Sequence, residues 1–135
     1  MQYRKLGKTG LEVSEIGMGL EYLLDKEENV VVDTIKTSIE SGVNYFDCLS
    51  KLRYSEASHT NEGYLKLGKA LAGLRDEVYL SFLAFVDKPL SYVQADFEFY
   101  LRVLNTGHTD VFILACCDKA VEYEAVTGSG GLLDY

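Results

Sequence analysis

The chain has no tryptophan, a single proline and no apolar run long enough to cross a bilayer. Its longest uncharged apolar segments, Val78 to Val86 and Val111 to Cys117, are less than half of the roughly 20 residues that a membrane helix needs. No apolar stretch follows the basic first residues, which argues against a signal peptide. Proline-rich, serine-rich and repetitive tracts are also absent, so the composition is globular rather than disordered. We expect one folded domain spanning residues 1–135, with no membrane partner.

Positive charge and cysteine are both scarce. The 13 Lys and Arg residues face 21 Asp and Glu residues, giving a formal net charge of -8 at pH 7. A field of this sign repels phosphate backbones and anionic lipids, so nucleic acid and membrane surfaces are excluded as expected partners. Three cysteines, an odd number with two of them adjacent, do not make a disulfide framework. Reduced thiols are typical of the cytoplasm, which is the predicted location.

Short apolar strands and helical segments alternate along the chain. The first dozen residues alternate apolar and polar around a Gly-Lys-Thr-Gly turn at positions 7–10, which predicts a β-hairpin. Apolar strands then recur at intervals of roughly thirty residues. This β-α-β-α-β-α-β order predicts an α/β fold with a right-handed parallel sheet. The four predicted strands are Glu15–Leu20, Val43–Cys48, Val78–Val86 and Asp110–Cys116.

The helices are predicted from caps and apolar spacing. Asp25 and Glu28 have the spacing of a capping box, and Gly42 is expected to end that first helix. Pro89 is expected to open the third helix, and a fourth helix would begin within the last residues, 128–135. The apolar positions that mark the second helix are Leu65, Leu71 and Leu74, and those of the third are Tyr92, Ala95, Phe99 and Val103.

Five further segments are informative together: Tyr3–Gly17, Gly42–Asp47, Leu67–Leu71, Arg75–Tyr79 and Gly130–Leu133. In the same order along the chain, they resemble the N-terminal half of the aldo-keto reductases. The resemblance implies a TIM barrel of eight βα units, of which this chain carries about four, a half barrel preceded by the hairpin. It also implies NADP as the family's cofactor and NADP-dependent reduction of small aldehydes or ketones as the family's activity.

The family's catalytic residues are an Asp after the second strand, a Tyr a few residues later, a Lys ending the third strand and a His ending the fourth. Asp47 matches the Asp in place and context. Leu83 stands at the Lys position and Ala115 at the His position. The Tyr normally follows the Asp by five residues, where this chain has Leu52, and the nearest tyrosine is Tyr54. The candidate catalytic residues are therefore Asp47 and Tyr54.

Each candidate also has a simpler interpretation. Asp47 could be an ordinary turn residue and Tyr54 an ordinary loop aromatic, since aspartate is common in turns and the chain has ten tyrosines. Cys48 and the Cys116–Cys117 pair are expected at the ends of neighbouring strands, where thiols could meet a metal or substrate. Buried cysteines more often act as small hydrophobic residues. The histidines lack zinc-site spacing, so no metal site is predicted.

Because the tetrad is incomplete, the sequence predicts an aldo-keto reductase relative that is inactive as this chain stands. No cofactor is expected for it, since the family's NADP site draws largely on the later strands. The alternatives are a non-catalytic scaffold or binding subunit, using the strand ends or the loop from Leu49 to Asn61, and a different enzyme with Asp47 as base. Four barrel strands would also leave two open edges, which predicts a homo-oligomer or a flattened, open sheet.

Overall fold

A computed structural model describes residues 1–49, 61–131 and 133 of the chain. The chain opens with an antiparallel hairpin of strands β1 (Tyr3–Lys5) and β2 (Glu12–Ser14). Gly7 and Gly10 have φ values of 53° and 85° in the connecting turn, a region that glycine enters without a steric penalty. The predicted hairpin is confirmed.

Four parallel strands follow: β3 (Met18–Gly19), β4 (Tyr45–Asp47), β5 (Tyr79–Phe85) and β6 (Val111–Ala115). Their order in the sheet is β3-β4-β5-β6, so each strand lies beside the next one in the chain. This is the neighbour order of βα-barrel units. The α/β class, the parallel sheet and the four strands are confirmed.

Four helices connect or follow these strands: α1 (Glu28–Glu40), α2 (Glu62–Ala70), α3 (Leu90–Val103) and α4 (Ala120–Thr127). A short 3₁₀ turn, Arg75–Glu77, precedes β5. None of the helices in the described ranges is long and apolar enough to cross a membrane.

The hydrophobic core lies between one face of the sheet and the helices. The ring of Phe82, in the middle of β5, lies 4.9 Å from that of Phe97 and 5.2 Å from that of Tyr100, both on α3. Because successive side chains of a strand point to opposite faces, Ser81 and Leu83 must lie on the other side of the sheet. We call this second side the inner face. The strand register places on it Tyr45, Asp47, Tyr79, Ser81, Leu83, Phe85, Val111, Ile113 and Ala115.

The hairpin is attached at the amino ends of the strands. The backbone N–H of Ser14 donates to Oδ1 of Asn44 at 2.6 Å, and the Asn44 amide nitrogen donates to the Glu12 carbonyl at 3.0 Å. The Tyr3 hydroxyl donates to the Gly42 carbonyl at 3.0 Å. The hairpin therefore leaves the carboxyl ends of the strands free.

Two helix starts differ from the sequence prediction. Helix α1 begins at Glu28 with Glu27 as N-cap and no side-chain cap, so the capping box at Asp25 was wrong. The preceding turn is held instead by a tertiary contact, because Nζ of Lys66 donates to the carbonyls of Leu24 and Lys26 at 3.2 and 2.7 Å. Pro89 is the N-cap residue of α3 rather than its first helical residue.

The faces of the helices were only partly predicted. Leu65 is 42% exposed, whereas Leu67 two residues later is fully buried in α2. In α3 the fully packed residues include Val93 and Tyr100, while Tyr92 and Ala95 are half-buried. Which residues of a helix are buried therefore depends on its contacts with neighbouring elements, and not on the spacing of apolar residues alone.

The ends of the α/β pattern also differ. Helix α4 occupies Ala120–Thr127, before the glycines at which a fourth helix was expected to start. Its start is fixed by Glu122, whose carboxylate accepts from the backbone N–H groups of Asp118 and Lys119 at 3.0 and 2.9 Å. Only Met18 and Gly19 of the predicted first strand, Glu15–Leu20, form a strand, because the chain bends after Ser14, whose hydroxyl donates to the Ile16 carbonyl at 2.7 Å.

Candidate functional site

Asp47 ends strand β4 on the inner face, at the carboxyl edge of the sheet. In βα barrels the chemistry takes place at this edge. Its register partner on β5 is Ser81, so the two side chains lie side by side on neighbouring strands. Tyr54, the other candidate, and Leu52 lie outside the described residues.

Asp47 and Ser81 share an unusual feature. Oδ1 of Asp47 and Oγ of Ser81 are buried and have no hydrogen-bond partner among the described residues, and Ser81 has no exposed surface. Buried polar atoms are nearly always paired, and leaving one unpaired costs roughly 1–3 kcal/mol. A carboxylate accepts hydrogen bonds and a hydroxyl can donate or accept. Together they form a small polar spot on a largely apolar face.

The two residues at the positions that the resemblance assigns to lysine and histidine are apolar. Leu83 and Ala115 lie on the same inner face as Asp47, paired in register with Ile113 and Phe85 respectively. Neither side chain can carry a charge or transfer a proton. Asp47 is the single charged side chain on strands β3 to β6. These strands therefore place no lysine or arginine beside its carboxylate.

The cysteines do not converge. Cys48 follows Asp47 but lies on the helix side of the sheet, where it is completely buried. Burial, together with the nearby charge of Asp47, raises the pKa of its thiol. Cys116 is exposed and Cys117 half-buried after β6. Since β5 lies between β4 and β6, the expectation that these thiols end neighbouring strands was wrong. In the described ranges no three His, Cys, Asp or Glu side chains group as metal ligands.

A second polar cluster, which the sequence did not reveal, surrounds Tyr100 in the core. Its hydroxyl lies 3.3 Å from Oγ1 of Thr109, which donates to the Leu80 carbonyl at 2.9 Å. Burial, and then the neighbouring Cys48, raise the pKa of the Tyr100 phenol. The ring also packs edge-on against Tyr64 at 5.4 Å. This cluster faces the helices, away from Asp47, so its role is packing.

A concavity lies at the other end of the sheet. Its volume is about 460 Å³, and it opens between the hairpin and the amino ends of β4 and β5. It is separated from Asp47 by the length of the strand. Its lining residues are Tyr3, Glu12, Ile39, Gly42, Val43, Asn44, Glu77 and Tyr79.

Ser81 is the site residue that sequence reasoning missed. It lies within the nearly continuous apolar run of β5, where it is one small residue among large ones and does not stand out. The alternation of side chains along a strand could have revealed it, because Ser81 precedes Leu83 by two positions and so lies on the same face. The pairing of Ser81 with Asp47 depends on the register between two strands, and the sequence does not specify that register.

Comparison with known proteins shows which proteins this arrangement is similar to. No protein-family model and no curated protein matches the chain. Among solved structures, an aldo-keto reductase from Bacillus halodurans in its apo form matches with a TM-score of 0.61 and 26% identity, over 93% of this chain and 41% of that one.

Two aldo-keto reductases from Klebsiella pneumoniae match in fold. One, in complex with NADPH, has a TM-score of 0.63 at 22% identity and covers 84% of this chain and 38% of its own. The other, in complex with NADP and acetate, has a TM-score of 0.59 at 24% identity and covers 78% and 36%. The chain thus spans about two fifths or less of the length of each.

The fold is thus a partial βα barrel, with a hairpin at the amino ends of its strands and Asp47 at their carboxyl edge. More particularly, the structural matches confirm the resemblance to the aldo-keto reductases, over about two fifths or less of the length of those proteins.

Proposed function

We propose that this chain is an aldo-keto reductase-related scaffold that does not reduce carbonyls by the family's mechanism. The observation that carries the proposal is the inner face itself, where Leu83 and Ala115 stand at the positions that the resemblance assigns to lysine and histidine. General acid catalysis needs a group that can give up a proton near the operating pH. Neither replacement can do so, and neither can lower the pKa of a nearby tyrosine.

The cofactor that the family implies does not fit the residues that the structure describes at the carboxyl edge of the sheet. NADP carries phosphate groups, which proteins bind with arginine, lysine or free backbone N–H groups. The strands near Asp47 supply no cation, and the lysines that follow β5 and β6 are already paired. Lys88 contacts Asp87 at 3.2 Å and Lys119 contacts Glu122 at 3.0 Å. We propose that this chain has no cofactor of its own.

The test is an assay of NADPH oxidation with a panel of small aldehydes and ketones, using the wild type and the Asp47→Asn variant. We expect no difference between them and no rate above the protein-free background, since loss of catalytic groups typically costs orders of magnitude. A wild-type rate that Asp47→Asn abolishes would overturn the proposal. A titration of nicotinamide fluorescence, in which we expect no low-micromolar binding, checks the cofactor separately.

The second candidate is a binding subunit, and the unpaired oxygens of Asp47 and Ser81 favour it. A small ligand with an N–H or O–H donor that displaced a neighbouring side chain to reach these buried atoms would satisfy both and remove the cost of leaving them unpaired. Screening small amines and polyols by their effect on the melting temperature tests this function. A stabilising compound should lose its effect in Ser81→Ala, and the exposed variant Val121→Ala serves as control.

We propose that the protein is located in the cytoplasm. All three cysteines are free, and Cys116 is exposed to solvent. Free, exposed thiols are typical of a reducing compartment. Counting the oxidised cysteines in protein isolated under alkylating conditions tests this location.

A further inference from the structure

Cys116 and Cys117 directly follow strand β6, and the function proposed above uses neither of them. Both thiols are free, with Cys116 exposed to solvent and Cys117 half-buried. Cys48, the third cysteine of the chain, is completely buried on the helix side of the sheet. A reagent in solvent therefore reaches the adjacent pair of thiols before it reaches Cys48.

The backbone at Cys116 has an unusual conformation. Its φ is 61°, and among the described residues Asn105 is the only other non-glycine residue with a positive φ. Asparagine enters this left-handed region more readily than most residues, and cysteine is not enriched there. Backbone outliers of this kind cluster at functional sites. The conformation of Cys116 therefore marks the pair as a candidate site.

The same conformation removes an obstacle to contact between the two sulfurs. In an extended strand, successive side chains point to opposite faces, so adjacent cysteines within a strand hold their sulfurs apart. Strand β6 ends at Ala115, and Cys116 lies in the turn that follows it. The alternation of the strand is broken at this turn, so it does not fix the two thiols on opposite faces.

We propose that Cys116 and Cys117 form a site of reversible oxidation, at which a hydroperoxide converts the two thiols into a disulfide between adjacent residues. Accessible cysteines beside a second, resolving cysteine are typical of such sites. The site is independent of the proposed lack of catalysis, because it involves neither Asp47 nor a cofactor.

The oxidation takes place in two steps. The thiolate of Cys116, the more exposed residue, attacks one oxygen of the hydroperoxide. An S–O bond forms, the O–O bond breaks, and the leaving oxygen takes up the proton of the thiol, which leaves Cys116 as a sulfenic acid. The thiolate of Cys117 then attacks the sulfur of Cys116, an S–S bond forms, and hydroxide leaves with the second proton as water. The two thiols lose two electrons and the hydroperoxide gains them.

The chain geometry makes this disulfide easy to reduce. The peptide bond between Cys116 and Cys117 is trans, which sets their Cα atoms about 3.8 Å apart. Most disulfides span roughly 4.4–6.8 Å between Cα atoms, so a bond between adjacent residues is strained. Strained and exposed disulfides are the labile ones. In a reducing compartment the pair is therefore a dithiol at rest and a disulfide only under oxidation.

Adjacency in the chain favours this disulfide over a bridge between two molecules. Even a short flexible tether gives an effective concentration on the order of millimolar, well above a protein concentration of roughly tens of micromolar. Cys48 does not compete for Cys116, since it follows β4, and β5 lies between β4 and β6.

Brief treatment of the full chain with hydrogen peroxide, followed by iodoacetamide in denaturant and digestion with trypsin, tests the proposal. Trypsin cleaves after Arg102 and Lys119, so both cysteines fall in one peptide. We expect this peptide to lose two hydrogen atoms and to carry no alkyl group. Reduced glutathione, added before the alkylation, should restore both thiols. Oxidation of Cys48, the internal control, should be at least about tenfold lower.

Two variants separate the roles of the thiols. Cys117→Ser removes the resolving thiol, so Cys116 should accumulate as a sulfenic acid that dimedone traps. Val121→Ala, at a site 65% exposed on α4, should form the disulfide as the wild type does. The wild-type result decides the proposal even where a variant does not fold. A pair that stays reduced, a main product that is a sulfinic acid or a disulfide between two chains, or a disulfide that glutathione does not reduce would overturn it.

Discussion

The guanidinium of Arg75 donates to Oδ2 of Asp110 at 2.9 Å across a separation of 35 residues, and these side chains are only 10% and 12% exposed. The same carboxylate oxygen accepts from the backbone N–H of Leu80 at 2.9 Å. Arg75 also donates to the carbonyls of Val78 and His108 at 3.0 and 3.2 Å. This pair fixes the start of β5 against the start of β6.

Removing one partner of this buried pair should destabilise the fold strongly. Asp110→Ala leaves the Arg75 charge without a carboxylate, and we expect a loss of about 3–5 kcal/mol in the free energy of unfolding. The control is Arg4→Ala in the Arg4–Glu15 pair, whose side chains are 77% and 32% exposed. That change should cost under about 1 kcal/mol. Urea denaturation measures both, and equal losses would contradict the assignment.

Gly68 should not tolerate a side chain. Alanine normally stabilises a helix interior by about 1 kcal/mol relative to glycine. A Cβ at Gly68 would overlap the carbonyl oxygen of Val103 at the end of α3. We therefore expect Gly68→Ala to destabilise the protein by about 1–3 kcal/mol, as overpacking does.

The matched control is Gly107→Ala, where a Cβ would meet nothing within 4 Å. Its effect on the melting temperature should be small, corresponding to less than about 0.5 kcal/mol. A stabilising Gly68→Ala would show that α2 and α3 are not in close contact at this point.

The three thiols should react in a fixed order. Cys116 is exposed, Cys117 is half-buried and Cys48 is fully buried with a raised pKa caused first by burial. Since the thiolate is the reactive form, iodoacetamide should modify Cys116 first and Cys48 only after unfolding. Peptide mass spectrometry over time checks this order, with Cys116→Ser as control. Modification of Cys48 in the native protein at the rate of Cys116 would refute it.

Alkaline pH should weaken the fold through Cys48 and Tyr100. Both have pKa values raised in the folded state, so the folded protein holds these protons more tightly than the unfolded chain does. The stabilisation is complete below the ordinary thiol and phenol pKa values, about 8.5 and 10. It is lost as the pH rises above them, by up to about 1.4 kcal/mol per pH unit for each group.

Tyr100→Phe removes one of these groups and should make the alkaline decline shallower. Tyr123→Phe, at a site 61% exposed, should leave the decline unchanged. Chemical denaturation at a series of pH values between neutral and about 11 makes the comparison. A decline that is identical in all three proteins would contradict the role of Tyr100.

The sequence was sufficient to place the hairpin and four strands, because turn glycines and runs such as Val78–Val86 carry their own local signal. It was also sufficient to predict that Asp47 follows the second parallel strand, and the resemblance assigned the positions of Leu83 and Ala115 to lysine and histidine. These statements depend on the order of residues along one chain, and the order of the strands in the sheet confirmed the fold they imply.

The sequence by itself therefore determined the class of fold and the position of one carboxylate. Only the tertiary structure decided that Ser81 faces Asp47 while Cys48 faces Tyr100, since a strand that is apolar on both sides gives no sign of which side is inner. It likewise decided where α1 starts, through Lys66. The physical reason is the same in each case: register and long-range contacts join residues that are distant in the chain, and local pattern cannot specify them.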